Sequence, residues 1–332
     1  MTFSKKVLAI LAVPILLVSV ALFVKLNTNN VMVINTCNEH SYSDAKIIKS
    51  STGPNTNIGF NINLRSSNSE IQSFKFLCLF ESNSGKSVCE NKDDEMMSKV
   101  IRKVYLDPPS VNPYSFRVNP PALNGQIGVP KIIDELLGGK QNGFYIESGG
   151  YDGEALSNSL FFELKRNFTG LLVEPNVFNY KKLLEVNRKA YSVNACYSTT
   201  GLPTLVDFVN AKALGAIKEI DQEMKLMESL PKQVQKDNLQ GESKALCLSF
   251  YSVLLAVGNP VVDYLSLDIE GAELPVLKSI PWDRVDIRVL SIECGQIERC
   301  NNIDVFMKSV GYYVAHHIPS AARPQDIILV KK

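Results

Sequence analysis

The sequence predicts an α/β fold: a mostly parallel sheet with an antiparallel hairpin at its edge, set behind an apolar N-terminal span. Three observations lead there. Gly143 to Pro175 holds two short apolar runs, each ending in an acid, with a helical segment between them. Val261 to Leu267 is a third such run, ending in Asp268-Ile-Glu270-Gly271, and Val289 to Ile292 is a fourth, ending in Glu293. After these, Gly311 to Ala315 and Ile327 to Val330 read as a closing pair of strands. Short apolar strands alternating with helical stretches are the pattern of a sheet buried on both faces.

The first unit is the most informative. Phe144 to Ile146 is a strand ending in Glu147 and the turn Ser148-Gly149-Gly150-Tyr151-Asp152-Gly153. Asn158 to Lys165 follows as a helix with Leu160, Phe161 and Leu164 on one face, and Leu171 to Val173 leads into Glu174. Rossmann-like units of this form bind nucleosides: glycine admits the backbone, a helix N-terminus offers N–H donors, and the second acid accepts from ribose hydroxyls. Glu147 in place of a phosphate-loop glycine suits a cofactor without a pyrophosphate, such as S-adenosylmethionine with its cationic ammonium and sulfonium. The plainer alternative is a β-α-β turn whose acids only cap the helix.

At 45% hydrophobic, 21% charged and net charge +1, the 332 residues have ordinary globular composition. Near-neutral charge argues against a nucleic-acid partner, which demands a basic surface. Residues 1–6 form a short tail carrying Lys5 and Lys6, and residues 7–24 are an uncharged apolar run. That run is long enough to span a bilayer as a helix of about 20 residues. Lysines before it keep the tail cytosolic and send the rest across, giving a type II membrane protein. A cleaved signal peptide with Ser19-Val20-Ala21 as its site is the rival; the length of the run favours an anchor. Residues 25–105 read as a lumenal stem. Within it, Ile71 to Cys89 has the alternation of a hairpin, where Cys78 and Cys89 either pair or stay reduced among the seven cysteines. Residues 106–142 are a Pro-rich linker and a lead-in helix, Ile132 to Leu137, ended by Gly138-Gly139. The remaining domain is 143–332.

Within that domain, Phe178 to Ala190 reads as an amphipathic helix through Phe178, Leu183 and Leu184, and Tyr191 to Cys196 as a strand. Lys212 to Gln240 is a charged helix or insertion. Asp268, Glu270 and Glu273 crowd one strand end, where ligands sit in open parallel sheets; Glu273 also starts a helix, where an acid is favoured anyway. His316-His317 are neighbours on a strand and cannot chelate one ion together. With no Cys or His pair at zinc spacing, no metal is expected. Asn167-Phe168-Thr169 is the one glycosylation sequon, placed on the face away from the strand ends.

Taken in order, the acid-x-Gly turn, Val173-Glu174-Pro175, Asn194-Ala-Cys196, Leu267-Asp-Ile-Glu-Gly-Ala-Glu273 and Asp326-Ile-Ile resemble the FkbM-type methyltransferases, a Rossmann-like S-adenosylmethionine family. Within it, Asp107-Pro-Pro-Ser110, Asn142 to Glu147, Tyr151-Asp-Gly-Glu154 and Ile280-Pro-Trp282-Asp283 are similar to the arthropod Star-like membrane proteins. Two departures stand out: Glu147 replaces the usual Asp, and Gly150 the usual Ala. The resemblance implies the Rossmann-like methyltransferase fold, S-adenosylmethionine as cofactor if active, and Glu147, Gly149, Gly153, Glu174 and Asn194 at its site. Asp268 or Glu270 would orient or deprotonate an acceptor hydroxyl. Two functions stay open: an O-methyltransferase acting on a glycan, lipid or small-molecule hydroxyl, and a membrane-tethered trafficking protein. The second would move epidermal-growth-factor-type precursors through endoplasmic reticulum, Golgi and endosomes.

Overall fold

The computed structural model describes residues 94–212, 215–218, 220, 232, 237–318 and 326–332 in full. Before residue 94 it describes backbone strands alone: β1 (Phe23–Leu26), β2 (Val31–Asn38), β3 (Ser41–Ser50), β4 (Thr56–Arg65), β5 (Ile71–Phe80) and β6 (Ser87–Cys89). The expected span at 7–24 lies outside the described residues except for Phe23 and Val24, which belong to β1. No helix among the described residues is long and apolar enough to cross a membrane. The side chains of Cys78 and Cys89 also lie outside the described residues.

The chain divides into two compact units after Leu79. In the first, β1 to β4 pair in sequence as an antiparallel meander. The second, Phe80–Lys332, is built on strands β7 (Leu106–Asp107), β8 (Phe144–Ser148), β9 (Thr169–Val173), β10 (Tyr191–Val193), β11 (Cys196–Tyr197), β12 (Thr204–Ala211), β13 (Ala216–Ile217), β14 (Leu239–Leu248), β15 (Val262–Leu267), β16 (Ile287–Glu293), β17 (Tyr312–Ile318) and β18 (Asp326–Lys331). Its main sheet runs β17-β18-β16-β15-β8-β9-β10-β7. β16, β15, β8, β9 and β10 are parallel, while β7 and the β17–β18 hairpin close the two edges antiparallel. This is the α/β, Rossmann-like order. Strands proceed one way from β8 through β9 to β10 and the other way from β15 to β16, so the order reverses between β8 and β15. At that switch point the flanking helices diverge and leave a crevice at the strand carboxyl ends.

Every residue of β15 is buried, as a central strand covered on both faces requires. Even Asp263 is inside; it is held by Lys140 at 2.6 Å and Arg288 at 3.0 Å and accepts from the amide of Phe144 at 3.1 Å. The core joins Tyr145, Phe162, Phe168, Leu172, Leu183 and Tyr264 across the sheet.

Two helices turn differently from the sequence expectation. The helix after β8 is Leu160–Arg166, and it buries Leu160, Phe162 and Glu163 rather than Leu160, Phe161 and Leu164. A buried arginine, Arg188, draws Glu163 inward and rotates the face. The next helix, Val177–Glu185, buries Tyr180 and Leu183, while Phe178 and Leu184 are exposed. The expected single strand from Tyr191 to Cys196 is two strands in different sheets, because the chain breaks at Asn194. The β11–β14 pairing carries a disulfide, Cys196–Cys247, and a second, Cys294–Cys300, links the end of β16 to the helix Ile297–Ser309. Of the segment 212–240, Ala216–Ile217 is strand β13 and Leu239 opens β14, and most of the rest lies outside the described residues.

Candidate active site at the strand tips

An open cleft with about 910 Å³ of free space, counting solvent at its mouth, lies at the switch point. Glu147, Gly149, Glu174, Asp268 and Glu270 all line it, so acids from three neighbouring strand tips share one notch. Val173, Pro175, Ala195, Phe208 and Ile217 add apolar surface to the lining.

The first tip is tied down tightly. Glu147 is buried, and its carboxylate accepts from Ser157 Oγ at 2.8 Å, Ser159 Oγ at 2.7 Å and the amides of Asn158 and Ser159. The N–H donors expected to face a ligand at the start of helix Leu160–Arg166 are therefore turned onto Glu147. Gly149 and Gly150 both donate to the Val173 carbonyl at 3.0 Å, locking the turn to β9. Gly149 has φ +83°, and a Cβ there would sit 2.0 Å from the Asp268 carbonyl oxygen. Only glycine allows the tips of β8 and β15 to touch. Gly153 is not on the cleft wall; its carbonyl receives Arg188 Nη1 at 2.6 Å.

Arg188 is the anchor beneath this turn. Its guanidinium pairs with Glu163 at 2.9 Å and also reaches Ser157, Ser159 and Tyr145, whose hydroxyl donates to the same Glu163 carboxylate. Burial acts to raise the Glu163 pKa, but Arg188 and its hydrogen bonds more than offset it and the group stays below the ordinary range.

The second tip holds Glu174. Its carboxylate accepts from the amides of Tyr151 and Asn176, both at 2.8 Å, and burial pushes its pKa to about 8. Asn194 does not line the cleft. It donates to the carbonyls of Glu174 at 2.7 Å and Pro175 at 3.2 Å, shaping the turn that carries Glu174.

The third tip is crowded. Asp268, Glu270 and Glu293 bring carboxylate oxygens within 4.8 Å of one another, and Glu270 sits at φ +50°. A shared proton relieves this crowding. Burial, then Glu270, raises Asp268 to about 7. Glu273 is a turn lock: it accepts from the amides of Ile269 and Gly271 and pairs with Arg299 at 2.9 Å.

Sequence reasoning missed Arg188, which reads as a surface residue at a helix end, and Gln126, which no motif marks. It also missed the buried hydroxyls of Ser148 and Tyr197, neighbours on the cleft wall.

The family model for the methyltransferase FkbM domain matches residues 147–314, about half of the chain. The chain belongs to that family. The match opens on Glu147 and closes in β17, so it takes in all three acidic tips but leaves out β7, the helix Val129–Leu136 and β18. No curated protein matches. Among solved structures, the precorrin-6y C5,15-methyltransferase from Geobacter metallireducens GS-15 is 13% identical, with TM-score 0.35, over 67% of this chain and 100% of that one. The METTL16 MTase domain is 12% identical, also at TM-score 0.35, over 77% of this chain and 86% of that one. Likeness at this level carries no weight here; the fold assignment rests on the strand order and the family.

Proposed function

We propose that the cleft binds S-adenosylmethionine and that this FkbM-family chain methylates an acceptor hydroxyl on a glycan, lipid or small molecule. One observation carries the reading: among the described residues the cleft is lined by four acids against a single lysine, Lys212, and the amides flanking its first acid are already engaged. Gly149 and Gly150 spend their N–H groups on Val173, and Asn158 and Ser159 spend theirs on Glu147. Such a lining offers a pyrophosphate few free donors and suits a cofactor that lacks one. The buried hydroxyls of Ser148 and Tyr197 add polar groups to the cleft lining.

When bound, the cofactor supplies a methyl group on a sulfonium. The protein's part is to align the acceptor, exclude water and take up a proton. Glu174 accepts from the sugar hydroxyls, Glu147 and Gly149 shape the pocket for the amino-acid end, and Gly153 and Asn194 hold the two turns. Asp268, its pKa raised to about 7, takes the acceptor's proton, with Glu270 beside it. Calorimetric titration of the full chain with S-adenosylmethionine tests this. Glu174→Ala is expected to weaken binding about tenfold or more, the loss of a hydrogen bond to a charged or buried partner. Unchanged affinity removes Glu174 from the site.

A second reading is favoured by the disulfides Cys196–Cys247 and Cys294–Cys300, since such bridges persist in oxidising compartments. The apolar run 7–24 is then a type II anchor and the domain lies in the lumen of the endoplasmic reticulum, Golgi or endosomes. There a Star-like role, trafficking of epidermal-growth-factor-type precursors on a retained methyltransferase scaffold, needs no imported cofactor. Asn167 is exposed in the turn between Leu160–Arg166 and β9, at the sheet end away from the cleft, where a glycan leaves the ligand's path open. A mobility shift on glycosidase treatment, lost in Asn167→Gln, supports lumenal placement; no shift in wild type counts against it. Absence of any S-adenosylmethionine binding favours the scaffold over the enzyme.

A further inference from the structure

The segment ahead of the family match does more than lead into β8. It is pinned along the domain: Ser110 donates its amide to the Arg188 carbonyl and Ser115 to the Val186 carbonyl, while Arg117 and Val118 donate theirs to Glu154. It then makes a tight turn at 124–128, where Gly128 N bonds Asn124 O at 3.1 Å and Val129 N bonds Gln126 O at 3.0 Å. Gly125 has φ +55°, and a Cβ there would lie 2.5 Å from Asn158 Oδ1, so the turn presses directly onto the residue that follows the first acidic loop.

From this turn the Gln126 side chain enters the cleft. Its orientation is set by a chain of one-way donors. The Gln126 amide donates to Asn158 Oδ1 at 2.9 Å, which makes the other end of Asn158 a donor, and Asn158 Nδ2 donates to Gln126 Oε1 at 3.2 Å and to Ser266 Oγ at 3.2 Å. Gln126 Nε2 is left to donate to Asp268 Oδ2, at 2.9 Å. The turn is already closed by its backbone bonds, so the side chain is not needed to hold it.

We propose that Gln126 is a positioning residue for Asp268: its carboxamide fixes the carboxylate at the tip of β15 and favours the charged, proton-accepting form. The inference rests on the reading that Asp268 faces the acceptor. A carboxamide N–H can only donate, so it stabilises the ionised carboxylate over the acid. The charges around Asp268 work the other way. Glu270 and Glu273 face it from its own turn, and Asp326 lines the small polar cavity beside it, while Glu293, from β16, shares a hydrogen bond that lowers its pKa as Gln126 does; Arg299 is engaged by Glu273. The strap thus completes the site of a domain whose family match begins 21 residues later.

The test is a carboxylate NMR titration of the full chain labelled at aspartate, with Asp268 assigned by Asp268→Asn, alongside calorimetry with S-adenosylmethionine. Gln126→Met keeps the shape and removes the donor; the Asp268 midpoint is expected to rise by about one pH unit. Gln126→Glu, a second variant of equal size, is expected to raise it further by adding a fifth acid. Thermal unfolding at low pH, where Asp268 is neutral, should barely move in Gln126→Met. A midpoint unchanged in both variants overturns the proposal. If wild type fails to bind S-adenosylmethionine while the midpoint shifts, the cofactor reading falls and the role of Gln126 stands. If the cofactor binds and the midpoint is fixed, the reverse holds.

Discussion

Two groups of acids lie by the neighbouring strands β8 and β15, and they are built to opposite ends. Beneath the β8 turn, Glu147 and Glu163 are matched by Arg188, two serine hydroxyls, a tyrosine hydroxyl and three backbone amides. At the tip of β15, Asp268 has glutamates for neighbours, hydrogen-bonding one of them, Glu293, and the carboxamide of Gln126. The same carboxyl chemistry gives a Glu163 pKa below the ordinary range and an Asp268 pKa of about 7. A fully partnered acid is a structural strut that ionises and stays so. A crowded one has its pKa raised towards neutral pH, where it can take up and then release a proton, which is the property a general base needs.

The largest effect should come from breaking the partnered side. Arg188→Met leaves Glu163 buried with no cation, and urea unfolding should show a loss of about 3–5 kcal/mol. Adding Glu163→Gln to that variant should recover part of it, and a loss under about 1 kcal/mol for Arg188→Met alone would mean the network is not the anchor described. Next in size is the contact between the two sides. Gly149→Ala places a methyl against the Asp268 carbonyl at a left-handed φ, and about 2–4 kcal/mol of destabilisation is expected from strain and overpacking together. Near-native stability in that variant would show that the tips of β8 and β15 are free to part.

The smallest effect sharpens the contrast through pH. Asp268 has its pKa raised from 3.8 to about 7 in the folded chain, so between these values the native state binds a proton that the unfolded chain has lost. Its contribution to stability therefore falls as pH rises through that window and levels off above it. Asp268→Asn should remove the penalty and unfold about 1–2 kcal/mol later than wild type at pH 8, with little difference near pH 4. Glu163 works with the opposite sign, adding stability above its unfolded value of 4.5 that is lost as pH falls through its lowered folded value. A pH-independent gain in Asp268→Asn would sink the claim that crowding, rather than packing, sets that acid apart.

Much of the framework was legible in the residues themselves. Apolar runs ending in Glu147, Glu174, Asp268 and Glu293 are strands that end at a polar edge, and the glycines of Ser148-Gly149-Gly150 mark where the backbone must turn left-handed. The helices were read less well. Phe178 and Leu184 look like core by spacing, yet the burial of Tyr180 and the pull of Arg188 on Glu163 set which faces turn inward. The break at Asn194 was invisible for a similar reason: its side chain serves the carbonyls of Glu174 and Pro175, twenty residues back, and only in space are they neighbours.

By itself, then, the sequence determined the order of strands and helices, the acid at each strand tip and the glycines between them, because periodicity and backbone freedom act over a few residues. The tertiary structure alone decided what each acid became. Whether a carboxyl meets Arg188 or another carboxylate depends on groups far apart along the chain, as Gln126 and Asp268 are. Their proximity is set by which faces of the sheet pack and where the strap is pinned, and the electrostatic energy that separates a strut from a base falls off within a few ångströms.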